Sequence, residues 1–267
     1  MLPAVTRVAA LVRLDAAHPA LASETLQALL RQTRLPEVIL IAVEAGEWAP
    51  DGAELVRVAA GAGPTRAGVA GIRAALERGA EWIWLLDGVT VPERPALATL
   101  LASTTGDEEL PVPRVVASRV VTTDGRPHPD SLPRHELFEK QVSVAAVERG
   151  LVHLRSVRHG SLLVSRGAVE RFGSPRAEFT DGDDALEWTT RILRSWNDPG
   201  YLATDSVAVR RVPSEPFDGS RRRRDFGNRR RMLLGDAWSP TERLWYTYLL
   251  GFDLVATMAG RAPARRV

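Results

Sequence analysis

The sequence predicts an α/β fold built on a mostly parallel central sheet flanked by helices, and three observations carry that expectation. Continuous apolar runs at Val5 to Leu14, Val38 to Val43 and Trp82 to Leu86 read as strands buried on both faces. Helical patterns separate them: Leu21 to Gln32, apolar at 21, 26, 29 and 30, and the alanine-rich Thr65 to Arg78. With a short strand at Leu55 to Ala59, the rhythm becomes β-α-β-β-α-β-α, that of a sheet covered by helices on both faces.

Taken in order, the first strand gives way to a loop at Asp15 to Pro19, and Ser23 and Glu24 stand near the start of the first helix. Leu35-Pro36 breaks that helix before the second strand. Glu44 to Gly52 is a loop, and Gly61 to Gly63 lead into the helix from Thr65. The 82–86 strand ends on a single carboxylate, Asp87, followed by Gly88, Val89 and the Pro92-Glu93 start of a helix over Arg94 to Ser103. A carboxylate at the carboxyl end of a buried strand stands where wound α/β sheets hold their ligands. The alternative is that Asp87 only turns the chain and caps the helix.

The middle of the chain is less regular. It reads as a strand at Val115 to Val121, a turn at Thr123 to Gly125, a loop at Pro127 to Pro133 and a helix at Leu137 to Arg149. Strands follow at Val152 to Leu154 and Ser161 to Ser165, then a helix at Gly167 to Phe172. Another helix at Ala185 to Ser195 precedes a strand at Tyr201 to Val209. Pro213 to Ser220 reads as a linker. The expected organisation is a sheet domain over 1–212 and, over 213–267, a basic linker with a helical tail packed on that domain.

Composition sets outer bounds. The 267 residues suffice for one α/β domain with a small appendage, and 45% hydrophobic with 25% charged residues is ordinary for a globular protein. A net charge of +2 gives no global basic field for nucleic acid. Lys140 is the only lysine; every other fixed cation is the planar arginine fork that suits phosphates and carboxylates. Without cysteine there is no disulfide or thiolate metal site. Arg7 and Arg13 interrupt the first apolar stretch, so no signal peptide is expected, and no apolar run reaches the ~18–20 residues of a membrane span. The turn after the first strand lacks the glycines of a dinucleotide fold, and no Gly-Lys-Ser/Thr loop is present. The histidines at 18, 128, 135, 153 and 159 show no metal spacing.

Three constellations remain: Asp87; the cluster Asp181, Asp183, Asp184 and Glu187; and the arginines 221–224 with 229–231. Acids at a helix start are favoured by the helix dipole and as N-caps. Clustered carboxylates also repel and hold protons more tightly, which suits a general base. The arginine run is either a solvated basic face or a clamp for phosphates or an anionic surface.

The order of Gln32-Thr33-Arg34-Leu35-Pro36, then Glu81-Trp82-Ile83-Trp84-Leu85-Leu86-Asp87, then Asp183-Asp184 with Glu187-Trp188 and Arg191, resembles the family-2 inverting glycosyltransferases of the GT-A fold. It is most similar to actinobacterial galactofuranosyl- and rhamnosyltransferase-like proteins, over about residues 5–212. The resemblance implies transfer of a sugar from a nucleoside-diphosphate sugar to a hydroxyl of a glycan or lipid-linked acceptor, with inversion. It assigns Asp184 as the base, Asp183 as the second choice, with Glu187 beside them. It assigns Arg13, Glu44, Arg66, Asp87, Gly88 and Arg210 to the donor, and Trp188, His159 and Arg191 to the acceptor. Asp87 becomes the first acid of a strand-end Asp-x-Asp motif for Mg²⁺ or Mn²⁺.

Three positions depart from that pattern. Val89 stands where the second metal acid belongs, Ala42 where the second strand usually ends on an acid, and Arg210 where a histidine completes the metal site. Two readings follow: a metal-independent transferase in which Arg210 replaces the cation, or a binding or scaffold protein that has lost donor binding. The apolar, aromatic tail from Trp238 to Met258 packs on the domain, forms a dimer interface, or lies with the arginine run against a membrane. The expected location is cytoplasmic, with the inner face of the plasma membrane as the site of any peripheral contact.

Overall fold

In the computed structural model, residues 6–14, 17–44, 53–131, 144–158, 160–179, 183–195, 197–214 and 219–258 are described. Two compact units divide at Ser214/Glu215. The first opens with β1 (Val8–Arg13), α1 (Pro19–Leu30), β2 (Val38–Glu44), β3 (Glu54–Val58), α2 (Pro64–Glu77) and β4 (Trp82–Asp87). It continues with β5 (Thr90–Pro92), α3 (Ala96–Ala102), β6 (Val115–Val121), α4 (Val144–Glu148), β7 (Leu151–His153) and β8 (Ser161–Ser165). It closes with α5 (Arg166–Phe172), α6 (Asp183–Ile192) and β9 (Gly200–Arg210).

The strands form one sheet in the order β3-β2-β1-β4-β8-β6-β9-β5, with β7 also paired to β9. β1, β2, β3, β4, β6 and β9 run one way, and β5, β7 and β8 run against them. The sheet is therefore mixed but mostly parallel, as the apolar runs predict. The reversed strands are not legible in those runs. Ser161–Ser165 is buried on both faces like its parallel neighbours, so its pattern carries no direction.

Side-chain alternation feeds two cores. Leu11, Leu40, Ile83 and Leu85 face α2, α5 and α6 through Ala67, Ile72, Ala168, Trp188 and Ile192. Val8, Ala10, Val12, Trp82, Trp84 and Leu86 face α1, α3 and α4 through Leu26, Leu29, Leu97, Leu100 and Ala146. α2 starts where Gly63, at φ 86, turns the chain into Pro64. α5 is capped by Ser165, whose hydroxyl accepts from Ala168 N at 3.2 Å, and ends at Gly173, φ 72.

A chain of hydroxyls crosses the sheet. Trp84 Nε1 donates to Ser161 Oγ at 2.9 Å, Ser161 and Ser118 Oγ are 2.7 Å apart, Ser118 and Ser206 Oγ 2.8 Å apart, and Ser206 Oγ donates to Ala96 O at 3.1 Å. One direction of donation satisfies every member. Ser206 lies where the β6–β9 register jumps from Ser118↔Ala203 to Arg119↔Val207. The three residues passed over set the register beyond, so that Thr90 pairs with Arg210.

The helix expected over Leu137 to Arg149 is present at Val144–Glu148, and its earlier part lies outside the described residues. The helix expected from Ala185 starts at Asp183. His128, placed by the sequence in the loop at Pro127 to Pro133, is fully buried with Nε2 3.2 Å from Val212 O.

The second unit holds α7 (Gly219–Leu234) and α8 (Pro240–Met258). Ser239 and Glu242 form a reciprocal capping box: Ser239 N donates to Glu242 Oε2 at 2.8 Å and Glu242 N to Ser239 Oγ at 3.4 Å. Trp238 stacks on Tyr246 with centroids 4.2 Å apart. Arg221 to Arg224 fall within α7. Among the described residues no helix is long and apolar enough to cross a membrane.

A Cβ added at Gly71 of α2 meets Leu11 Cδ1 at 2.4 Å in the core. Gly71→Ala is therefore expected to destabilise the protein by about 1–3 kcal/mol through overpacking, despite the better helix propensity of alanine. Urea denaturation of the two proteins checks this.

Candidate functional site

β1, β2 and β4 end side by side, with Arg13 in register with Ala42 on one side and Asp87 on the other. Residues in register on parallel strands point to the same face, here the face covered by α2 and α6. This carboxyl edge gathers several sequence-predicted site residues. At its centre is Asp87, 9% exposed, ion-paired through Oδ2 with Arg210 Nη1. Asp87 Oδ1 and Arg210 Nε are buried without hydrogen-bond partners. Buried polar atoms left unmet call for an explanation, and a missing ligand or water is one.

Arg13 reaches α6. Its Nη1 donates to Asp184 Oδ2 at 2.8 Å, and its Cδ would lie 3.1 Å from a Cβ added at Gly68 of α2. Thr65 Oγ1, in the first turn of α2, lies 3.1 Å from the same Asp184 oxygen and 3.1 Å from Phe179 O. Asp184 is 1% exposed. Asp183, beside it, is paired with Arg158 at 2.6 Å.

Glu44, at the end of β2, accepts from the backbone N–H of Gly61 and, at 2.9 Å, of Gly63. It thereby holds the loop that enters α2. Gly88 N donates to Arg13 O at 2.8 Å, tying the turn after β4 to the end of β1. Arg66 is exposed on the first turn of α2. His159 and Asp181 lie outside the described residues.

Three assignments need correction. Glu187 is fully buried and accepts from Arg191 through both oxygens, at 2.8 and 3.2 Å, with Arg176 at 3.3 Å. Arg191 in turn donates to Phe172 O and, at 3.0 Å, to Ser174 O. Trp188 is fully buried and donates from Nε1 to Gly173 O at 2.7 Å. These three side chains pin the 172–176 segment to α6; none presents a surface to an acceptor. Of the acid cluster, the described members Asp183, Asp184 and Glu187 each have an arginine partner that offsets their charge.

Among the described residues, the donors around Asp87 do not fit a divalent cation. Val89 is buried and apolar, Arg210 occupies one carboxylate oxygen, and Arg13 is the next residue along the sheet. Among the described residues no group of three or more acids or histidines converges to hold a metal. Sequence reasoning missed the partners Thr65, Arg158 and Arg176, which carry no motif of their own.

No family model matches the chain, and no curated protein matches it significantly. Two solved structures of S. aureus TarS do share its architecture. One superposes with a TM-score of 0.58 at 12% identity, covering 89% of this chain and 41% of that chain. The other, TarS 1-349, gives a TM-score of 0.61 at 12% identity, covering 94% and 73%. The chain spans about two fifths of the length of the first. At that identity the likeness defines the fold, a GT-A-type mixed α/β sheet.

If Glu187 serves packing, Glu187→Gln leaves Arg191 and Arg176 short of a charge partner and destabilises the protein by about 3–5 kcal/mol. Chemical denaturation measures this. A variant of unchanged stability contradicts the structural role.

Proposed function

We propose that the chain is an inverting glycosyltransferase that moves a sugar from a nucleoside-diphosphate sugar to a hydroxyl of a glycan or lipid-linked acceptor, using arginine in place of a divalent cation. The observation that carries this reading is the Asp87–Arg210 pair at the carboxyl end of β4, with Arg13 in register beside it. In a wound sheet this edge is the ligand edge. Two guanidinium groups there match the fork geometry and charge of a diphosphate. The fold is shared with TarS, a family-2-like glycosyltransferase. The motif resemblance set out under Sequence analysis extends the proposal to a cell-surface polysaccharide as the product class.

In this reading Arg210 and Arg13 neutralise the diphosphate as it leaves. Asp184 takes the proton of the acceptor hydroxyl, and the oxygen attacks the anomeric carbon from the side opposite the diphosphate. The bond from that carbon to the phosphate oxygen breaks, and its electron pair departs with the nucleoside diphosphate. Asp184 is preferred over Asp183 because its carboxylate contacts Arg13, the residue in register with Asp87.

A second reading, a catalytically inactive glycosyltransferase-like binding or scaffold protein that has lost donor binding, is favoured by one observation: Asp183 and Asp184 are both buried and arginine-bound. Calorimetry with UDP, dTDP and GDP in EDTA separates the two readings. One of these nucleotides is expected to bind without metal, and Arg210→Ala, confirmed folded by circular dichroism, to weaken it about thirtyfold or more. Binding that requires Mg²⁺ or Mn²⁺ contradicts the arginine role, and no binding by the wild type contradicts the transferase and favours the second reading.

A further inference from the structure

Arg13 and Asp184 occupy each other at the point where the proposed reaction needs both. We propose that the Arg13–Asp184 ion pair is an autoinhibitory latch opened by the diphosphate of the donor: Arg13 leaves the carboxylate for phosphate oxygens, and Asp184 thereby becomes a proton acceptor. The inference rests on the glycosyltransferase reading above.

Asp184 Oδ2 is held from two sides, by Arg13 Nη1 at 2.8 Å and Thr65 Oγ1 at 3.1 Å. An oxygen engaged in this way is a poor acceptor for a substrate proton. The Thr65 hydroxyl has one proton and two acceptors in reach, Asp184 Oδ2 and Phe179 O, both at 3.1 Å. When Arg13 departs, Thr65 can turn to the carbonyl and release the same oxygen. The latch therefore opens without stranding the buried Thr65 donor.

Charge balance at the edge points the same way. Asp87 with Arg210 and Asp184 with Arg13 form two neutral pairs. A diphosphate arriving there adds negative charge, and these two arginines already stand at the strand ends to meet it. The Arg13 side chain is 16% exposed against 2% for that of Asp184, so of the two partners it is the Arg13 side chain that solvent reaches. Its stem passes close to α2 at Gly68, where an added Cβ would lie 3.1 Å from Arg13 Cδ. The arrangement makes activation of the acceptor depend on prior occupancy by the donor.

The test is a double-mutant cycle of nucleotide affinity, measured by calorimetry with UDP, dTDP and GDP on the full chain. Asp184→Asn keeps the shape and an acceptor oxygen but removes the competing charge, so the bound nucleotide is expected to bind about tenfold more tightly. Arg13→Gln weakens it, and in the double variant the gain from Asp184→Asn disappears. Unchanged or weaker binding by Asp184→Asn, with wild-type binding intact, overturns the latch and leaves the glycosyltransferase reading standing. No binding by the wild type overturns that reading instead. Should Asp184→Asn not fold, the Arg13 guanidinium resonances of the ¹⁵N-labelled wild type, assigned with Arg13→Lys, give the same answer: they shift on nucleotide saturation, or the latch is wrong.

Discussion

Among the described residues of this sheet domain, each buried carboxylate has a cation beside it, and that requirement organises the end of the molecule where ligands belong. Asp87 has Arg210, Asp183 has Arg158, Asp184 has Arg13 and Glu187 has Arg191 with Arg176. Asp198, fully buried, is held at 2.9 Å by both Arg114 and Arg171. An isolated charge in such places is too costly to keep, and a pair is tolerated only with good geometry. Arginine supplies the cation in all five cases, and its planar fork engages both oxygens of Glu187.

The pairs do two different jobs. Glu187–Arg191 and Asp198–Arg114–Arg171 are enclosed and join separate segments of the chain. They fix the 172–176 segment on α6 and the approach to β9 on the start of β6 and on α5. Asp87–Arg210 and Asp184–Arg13 stand at the carboxyl edge, where the guanidinium of each pair retains partial exposure. Pairs of the first kind hold the shape, and pairs of the second kind are the ones proposed to exchange a carboxylate for a phosphate. The β9 bulge and the hydroxyl chain through Ser118 and Ser206 link the two, because they place Arg210 opposite Thr90 and thus beside Asp87.

Much of the fold is legible in the sequence because its strands are continuous apolar runs and its first helices carry clear stripes. Trp82 to Asp87 shows both the buried strand and its terminal acid. The direction of Ser161–Ser165 and the existence of the three-residue β5 are not legible, since neither has a periodicity to read. The site is legible in part. Asp87 and the 183–187 acids announce themselves by residue type, but their partners lie far off: Arg13 is 171 residues from Asp184, and Arg210 is 123 from Asp87. Glu187, Trp188 and Arg191 are misread for the opposite reason. They have the chemistry of a binding site, and only the packing of α6 against the sheet shows that they face inward.

In the proposed reaction, arginine does the work of a metal ion at the leaving diphosphate. The most direct measurement is turnover of UDP-, dTDP- and GDP-sugars, followed by release of nucleoside diphosphate in ³¹P NMR, with EDTA and with added Mn²⁺. Metal-free catalysis predicts release from one donor at the same rate under both conditions. Release that appears only with Mn²⁺, or a donor that binds and is never turned over, contradicts it.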